Sequence, residues 1–466
     1  MKIFEVNNNV FHIIILLIYT SCNPNSNPNE IVECTIEVKQ VYTGNIILKT
    51  QTDIDNFEHC ISKLNGFLVI DGTDVESDHI VDLIALNDKI DTITRSLLIG
   101  NLKILENIEG LNSIKHIGES VIIENNDKLK SIEDFPSSIT SIVDMDWPAG
   151  TRLNNWPNNN ISKFEGLLIS KNSNLKSIRG LNNIKVVGHS FAGGGIQISN
   201  NELLEDLGGL EALEKSWYLT IWGNKKLKNM FGLENLKRIG GSLNIGRNES
   251  LNSFNGLNNL ERLGSLTIID NPLLSDIRSL LKIKVISGSQ EINSWAYLRI
   301  INNTSLKSLD GLNNVKKLVS GQEGITKLII EDNTMTNLEG LNNLQQISGG
   351  FTDIIINNNE SLSSIGLINL EVIKSIHPLS DNSAGYCKFE ITNNQSLNNL
   401  DDLLLLEVQN NKHIEFQIVS NKSLNNYCGI NNLILSNTNL DLLTFSISNN
   451  AYNPTMQQLV NGDCLP

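Results

Sequence analysis

The stretch from Gly241 to Gly264, GSLNIGRNESLNSFNGLNNLERLG, has close relatives along most of the chain. Aligned on the second apolar residue of L-x-I, the copies fall at Ile99, Ile123, Ile169, Ile198, Ile221, Ile245, Ile268, Ile300, Ile330, Ile356, Ile391, Ile418 and Ile447. The tightest copies, from Ile198 to Ile268, follow one another every 23 or 24 residues. That is a solenoid period, too short for paired-helix repeats. L-x-I alternates with period two, as a short half-buried strand does, and the L-x-x-L and L-x-x-I pieces each supply one more extended side. The unit therefore predicts an all-β coil that stacks on its own copies.

Three residues after each aligned Ile, in every copy but the one at Ile99, stands an asparagine: Asn126, Asn172, Asn201, Asn224, Asn248, Asn271, Asn303, Asn333, Asn359, Asn394, Asn421 and Asn450. A short amide tolerates left-handed backbone and can satisfy backbone groups of the coils above and below. Left unpaired inside, each would cost about 1–3 kcal/mol, so a continuous ladder is expected. A second corner, needing positive φ or close backbone approach, is marked by Gly110, Gly180, Gly209, Gly232, Gly256, Gly311, Gly340, Gly366 and Gly429.

Ordinary leucine-rich repeats place the next Leu two residues after Asn; here it comes three after, as in Asn248 to Leu251, Asn303 to Leu306 and Asn394 to Leu397. That offset, followed by L-x-x-I-x-G-L, resembles the receptor L-domain family over roughly residues 32–466. The resemblance implies a right-handed parallel β-helix, here of about 13–15 coils with short helical caps at both ends. It also implies a role in binding, since receptor L-domains contact ligands. The Cys-rich modules, membrane span and kinase of those receptors have no counterpart in this chain, so signalling does not carry over.

Residues 1–21 contain Lys2 and the run VFHIIILLIYT, too short to span a bilayer and placed where a secretory signal belongs. Small residues before Cys22 resemble a bacterial lipoprotein signal, in which Cys22 becomes the lipidated first residue; a plain signal peptide or a buried Cys is the alternative. Residues 22–31 then read as a polar tether and 32–65 as an N-terminal cap. There Asp53, Asn56, Phe57, Cys60, Ile61 and Leu64 form an apolar stripe at helical spacing, closed by Asn65-Gly66. The solenoid fills 66–447, and 448–466 form a C-terminal cap, whose short helix is expected to open at Asn453-Pro454 and end at Gly462. The order of cysteines matches the L-domain family, which implies a Cys34–Cys60 bridge. The C-terminal segment resembles the last coil and cap of Bacteroidetes-type surface proteins, with Cys428 and Cys464 stapling it. Cys387 is then single, as expected if Cys22 carries lipid.

With 51 acidic against 36 basic side chains the chain carries a net charge of −15, which disfavours nucleic acid as a partner. Lys185, Lys215, Lys237, Arg238, Arg262, Lys284, Lys316 and Lys317, with Lys115, nonetheless recur just before the last apolar residue of a coil, and Lys130, Lys176, Lys228 and Lys307 recur beside the middle side. Stacked about 4.8 Å apart, they become stripes suited to an extended anionic polymer such as an acidic glycan, or simply solvated strand faces. Inserted residues fall mainly between the third side of one coil and the L-x-I of the next, at one corner where partners often bind. The interval from Ile123 to Ile169 is 46 residues, two periods, so it is expected to hold one degenerate coil, with Trp147 and Trp156 as core plugs or an exposed contact.

Four chemical decoys fail on spacing or frame. Gly188-His189-Ser190-Phe191-Ala192-Gly193 has its second Gly one position late for a nucleophile elbow. Asp74, Glu76 and Asp78 lack the loop of a calcium site. The N-x-S sequons at Asn248, Asn303, Asn359, Asn394 and Asn421 coincide with the ladder. No Cys or His pair has metal spacing and no Gly-rich cradle opens a helix, so neither cofactor nor metal is expected. The sequence reads as a non-catalytic envelope protein binding an extracellular protein or acidic glycan, anchored to the membrane through lipid alone. The alternatives are a passive scaffold and a β-helix polysaccharide-degrading enzyme.

Overall fold

The computed structural model describes residues 34, 38–142, 161–188, 194–288, 294–375, 386–409, 413–436 and 443–466. Cys22, the leader and the tether lie outside the described residues, as do Trp147, Trp156 and residues 189–193 of the glycine-flanked decoy.

Fifteen strands at the L-x-I positions, from Ile46–Leu48 to Leu443–Ser448, stack in parallel, each in register with the next. Ile198 faces Ile221, which faces Ile245 and then Ile268. The third side builds a second parallel ladder from Ser141–Ile142 to Glu407–Gln409. The middle side makes only single bridges, such as Ser253 with Asp276, and short 3-10 turns such as Arg179–Leu181. This is the parallel β-solenoid, with short helices at both ends, that the repeat predicts. Leu219, Leu243, Leu266 and their Ile partners are fully buried, each contributing about 1.5–3 kcal/mol. In the last coils phenylalanine takes the Leu column, and Phe389, Phe416 and Phe445 stack with centroids 5.3 and 4.9 Å apart.

The asparagine ladder is continuous. In every coil from Asn126 onward the backbone N–H donates to the Oδ1 of the next ladder residue, at 2.8–3.2 Å. Each amide Nδ2 donates back to the aligned Ile carbonyl of the preceding coil, as Asn248 does to Ile221 at 3.0 Å. The coil at Ile99, which lacks the Asn, joins through the backbone of Leu102, which donates to Asn126 Oδ1. The left-handed residue is not the ladder Asn itself. It is the residue before it, for instance Asn125 (φ 57), Arg247 (φ 53) and Asp270 (φ 56). That single turn swings the next side chain inward. At the second corner, close approach is the common cause: a Cβ on Gly256 (φ +116) would lie 1.9 Å from the Met230 carbonyl, and one on Gly180 would lie 1.9 Å from that of Ile132.

Three local expectations differ from the structure. The N-terminal helix is one turn, Gln51–Asp55, capped by Thr50, and Ile61–Asn65 is a strand. Its pairing with Gln40–Thr43 skips Ser62, so a bulge, and not a helical turn, puts Ile61 and Leu64 on one side. The 46-residue interval holds no extra rung, because Ser120–Glu124 pairs directly with Gly166–Ser170. Ile161 and Phe164, near the end of that interval, instead cover Phe67, Val69, Leu98, Ile122 and Leu168 on the outward face. Glu124 fastens this cover, accepting from Ser162 N–H and Oγ and from Lys171 Nζ, each at 2.9 Å. Burial alone would raise its carboxyl; those hydrogen bonds outweigh it and hold the group below the usual range. At the far end Thr455, and not Asn453, caps the helix Met456–Val460. Asn453 accepts from both nitrogens of Asn450 and closes the ladder as a terminal rung.

Both expected bridges, Cys34–Cys60 and Cys428–Cys464, are formed, with Cα atoms 5.4 and 5.0 Å apart. Cys387 is free and fully buried, and burial pushes its thiol up to about 12. The thiolate that reacts is therefore essentially absent at neutral pH. Titration with a chromogenic disulfide reagent at pH 8 should show no Cys387-dependent thiol in folded protein and one equivalent after denaturation. Rapid labelling without denaturant, absent in Cys387→Ser, would contradict this burial.

Candidate functional site

The third-side ladder separates the expected basic stripe into two columns. In one, Lys215 faces Arg238, and Arg238 faces Arg262. Leu263 then faces Ile286, which sets Val285 beside Arg262, and Val285 faces Lys317. In the other, Lys185, Glu214, Lys237 and Glu261 alternate in sign, tied by backbone bonds of 2.8–3.0 Å, and Lys284 and Lys316 continue the series. All eight candidate cations are exposed. Among the described residues none of them lies within ion-pair distance of a carboxylate.

Elsewhere, eleven of the described basic residues are paired with carboxylates. Lys130 pairs with Glu106 and Lys228 with Glu205, both at 2.7 Å, and Lys225 with Glu202 at 3.0 Å. Hydrogen bonding from Lys228 holds the Glu205 carboxyl below its usual range. Lys307 Nζ donates to the neutral Thr334 Oγ1 and keeps its charge, whereas Lys115 stands 3.6 Å from Asp91. Such exposed pairs add little stability, but they cancel charge. The third side between Lys185 and Lys317 thus gathers eight exposed cations with no ion-pair partner among the described residues, on a protein of net charge −15.

A groove of about 1080 Å³ opens along this side, lined among others by Trp217, Arg238, Glu261, Arg262, Lys282 and Lys284. Its origin is corner length. Arg238–Gly246 and Arg262–Ile269 each run from the third side into the L-x-I position as one unbroken strand, turning through Gly240-Gly241 and Gly264. The next coil takes the longer path from Ser287 to Ala296. The groove opens beside the two short corners, whose Gly240 and Gly264 line it. A Cβ on Gly240 would sit 2.1 Å from the Trp217 ring, so the bare backbone is what lets the indole form a wall. Trp217 meets Tyr218 edge to face at 6.0 Å; Trp295, 57% exposed, stacks near Tyr297 at 6.0 Å.

No family model and no curated protein matches the chain. Among solved structures, one similar chain is described as a leucine-rich repeat protein from Bacteroides ovatus, 15% identical, with 72% of this chain and 86% of that one covered and a TM-score of 0.17. At that score it carries no argument, and the architecture rests on the strand pairings above.

Of the residues singled out in the sequence, the twelve ladder asparagines are structural, and eleven of them are at most 2% exposed. The sequon asparagines among them have their Nδ2 bonded to backbone carbonyls inside the coil stack, so no glycan can be attached in the folded state. The inserted segments do leave from one corner, after Val187, Ser287, Val319 and Ser375. Asp78 accepts from Thr52 N–H at 3.1 Å, and hydrogen bonds from Thr52 hold its carboxyl below the usual range. Among the described residues no group of three or more His, Cys, Asp or Glu is placed to hold a metal. Trp217, Glu261 and Lys282 escape sequence reasoning; the signal that could have found them is the missing insertion at two neighbouring coils.

Proposed function

We propose that this chain is a non-catalytic binding protein of the cell envelope, exported and held to a membrane through lipid on Cys22, with a receptor-L-domain-like solenoid that presents its third side to an anionic extracellular ligand. The observation that carries this reading is the run Lys215, Arg238 and Arg262 on consecutive rungs, exposed and without carboxylate partners among the described residues. Clustered like charge costs self-repulsion unless a ligand relieves it, and rungs about 4.8 Å apart present charge at the spacing of an extended polymer. The disulfides accord with an oxidising compartment.

The test is binding to a glycan array and to whole cells, comparing the wild type with a triple variant, Lys237→Glu, Arg238→Glu and Arg262→Glu. The variant should lose at least roughly tenfold in apparent affinity, and wild-type binding should weaken as salt rises from 0.05 to about 0.5 M. Equal binding by both proteins would remove the basic columns from consideration.

A further inference from the structure

We propose that the groove beside Trp217 is a subsite for a pyranose ring bearing a carboxylate or sulfate, within a linear acidic glycan. This rests on the anion-binding reading above and narrows it. The groove offers two unlike surfaces. One is the flat apolar indole of Trp217; the other is the pair of guanidinium forks from Arg238 and Arg262 on adjacent rungs. A ligand satisfying both must be flat and C–H-bearing on its faces and anionic at its rim, because aromatic walls take apolar faces while arginine takes carboxylate or sulfate in bidentate fashion.

Glu261 sharpens the choice. It lines the same groove and would repel a ligand carrying charge alone, such as inorganic phosphate or a nucleic-acid backbone. It would accept hydrogen bonds from hydroxyl groups, so the site calls for donors and an anion on one ring. An acidic peptide fits less well. Extended peptides gain affinity by adding to a free strand edge, whereas Arg238–Gly246 and Arg262–Ile269 are paired on both sides.

The dimensions favour more than one sugar. The groove, at about 1080 Å³, lies just above the range of about 300–1,000 Å³ usual for small-ligand sites. The strand that carries Arg238 into it also carries Asn244 at the outward position, in one column with Gln197, Thr220 and Thr267. Gln197, Thr220 and Asn244 are part-exposed while Thr267 is buried, so the first three offer polar groups on the neighbouring side to the hydroxyls of further units.

Isothermal titration of the protein would use four probes: galacturonate oligomers, sulfated dextran oligomers, neutral dextran oligomers and polyglutamate of matched charge. At least one acidic oligosaccharide should bind, the tighter arm identifying the substituent, with neutral dextran silent and polyglutamate weaker. Trp217→Ala should weaken the acidic oligosaccharide up to roughly tenfold while leaving polyglutamate unchanged. Trp217→Phe, which keeps a ring against Gly240, should restore most of the affinity and guards against a folding defect. Polyglutamate binding as tightly as the sugars, with no response to Trp217→Ala, overturns the sugar subsite and leaves the anion-binding reading standing. Silence of every anionic probe overturns both.

Discussion

Asn248→Leu should lower the stability of the protein by roughly 2–6 kcal/mol, visible as a fall in the denaturant midpoint. Leu keeps the four non-hydrogen atoms and the γ branch of Asn in a somewhat bulkier form, so the main loss is in hydrogen bonds. Asn224 N–H loses its acceptor, 3.0 Å away, and the Ile221 carbonyl loses its donor, also at 3.0 Å. Both are buried between coils, where an unpaired group costs about 1–3 kcal/mol. Asn258 is the control. It is exposed and accepts only from Gly256 N–H at 3.3 Å, a bond that water can replace, so Asn258→Leu should stay within about 0.5 kcal/mol. Equal midpoints for the two variants would show that the interior amides do not hold the coils together.

Gly256→Ala is expected to cost roughly 3 kcal/mol or more, because two penalties coincide there. Its φ of +116 suits no side chain, and the added Cβ would meet the Met230 carbonyl at 1.9 Å, with no flexible group to give way. Gly462 separates the two causes. It has a φ of +89 but nothing within 4 Å of a Cβ, so Gly462→Ala should show conformational strain alone, about 1–2 kcal/mol. Chemical denaturation of both variants measures the difference, and matching losses would rule out close coil approach as the reason for glycine at this corner.

The solenoid was legible because its two strictest signals, L-x-I and the Asn three residues on, are written by burial and by backbone satisfaction, both local to one unit. Reading went astray where a second cause mimics the first. Ile61 and Leu64 have helical spacing because a bulge adds a residue to a strand. Asn453 looks like a helix cap and serves the last rung. The 46-residue interval looks like two coils because its added length equals about one coil; the better clue is Val69, Leu98, Ile122 and Leu168, apolar at outward positions that carry Gln197, Thr220 and Asn244 farther along. The basic residues were visible, but their standing was not. Whether a lysine is discharged depends on a carboxylate one coil away, as for Lys228 and Glu205, and the groove is made by residues that are not there.

The two corners of the coil live under opposite rules. The asparagine corner admits no change of length, since each amide must meet its neighbours in the coils on either side. The corner leading into L-x-I spans two residues between Leu263 and Leu266 and fifteen between Ile373 and Phe389, with the same rungs still facing one another. Relief on this molecule is thus written independently of alignment: lengthening the passage at Gly264, which lines the groove, would fill it without shifting a single rung. A scaffold of this kind can be given a new contour coil by coil, as a key is cut along a blank.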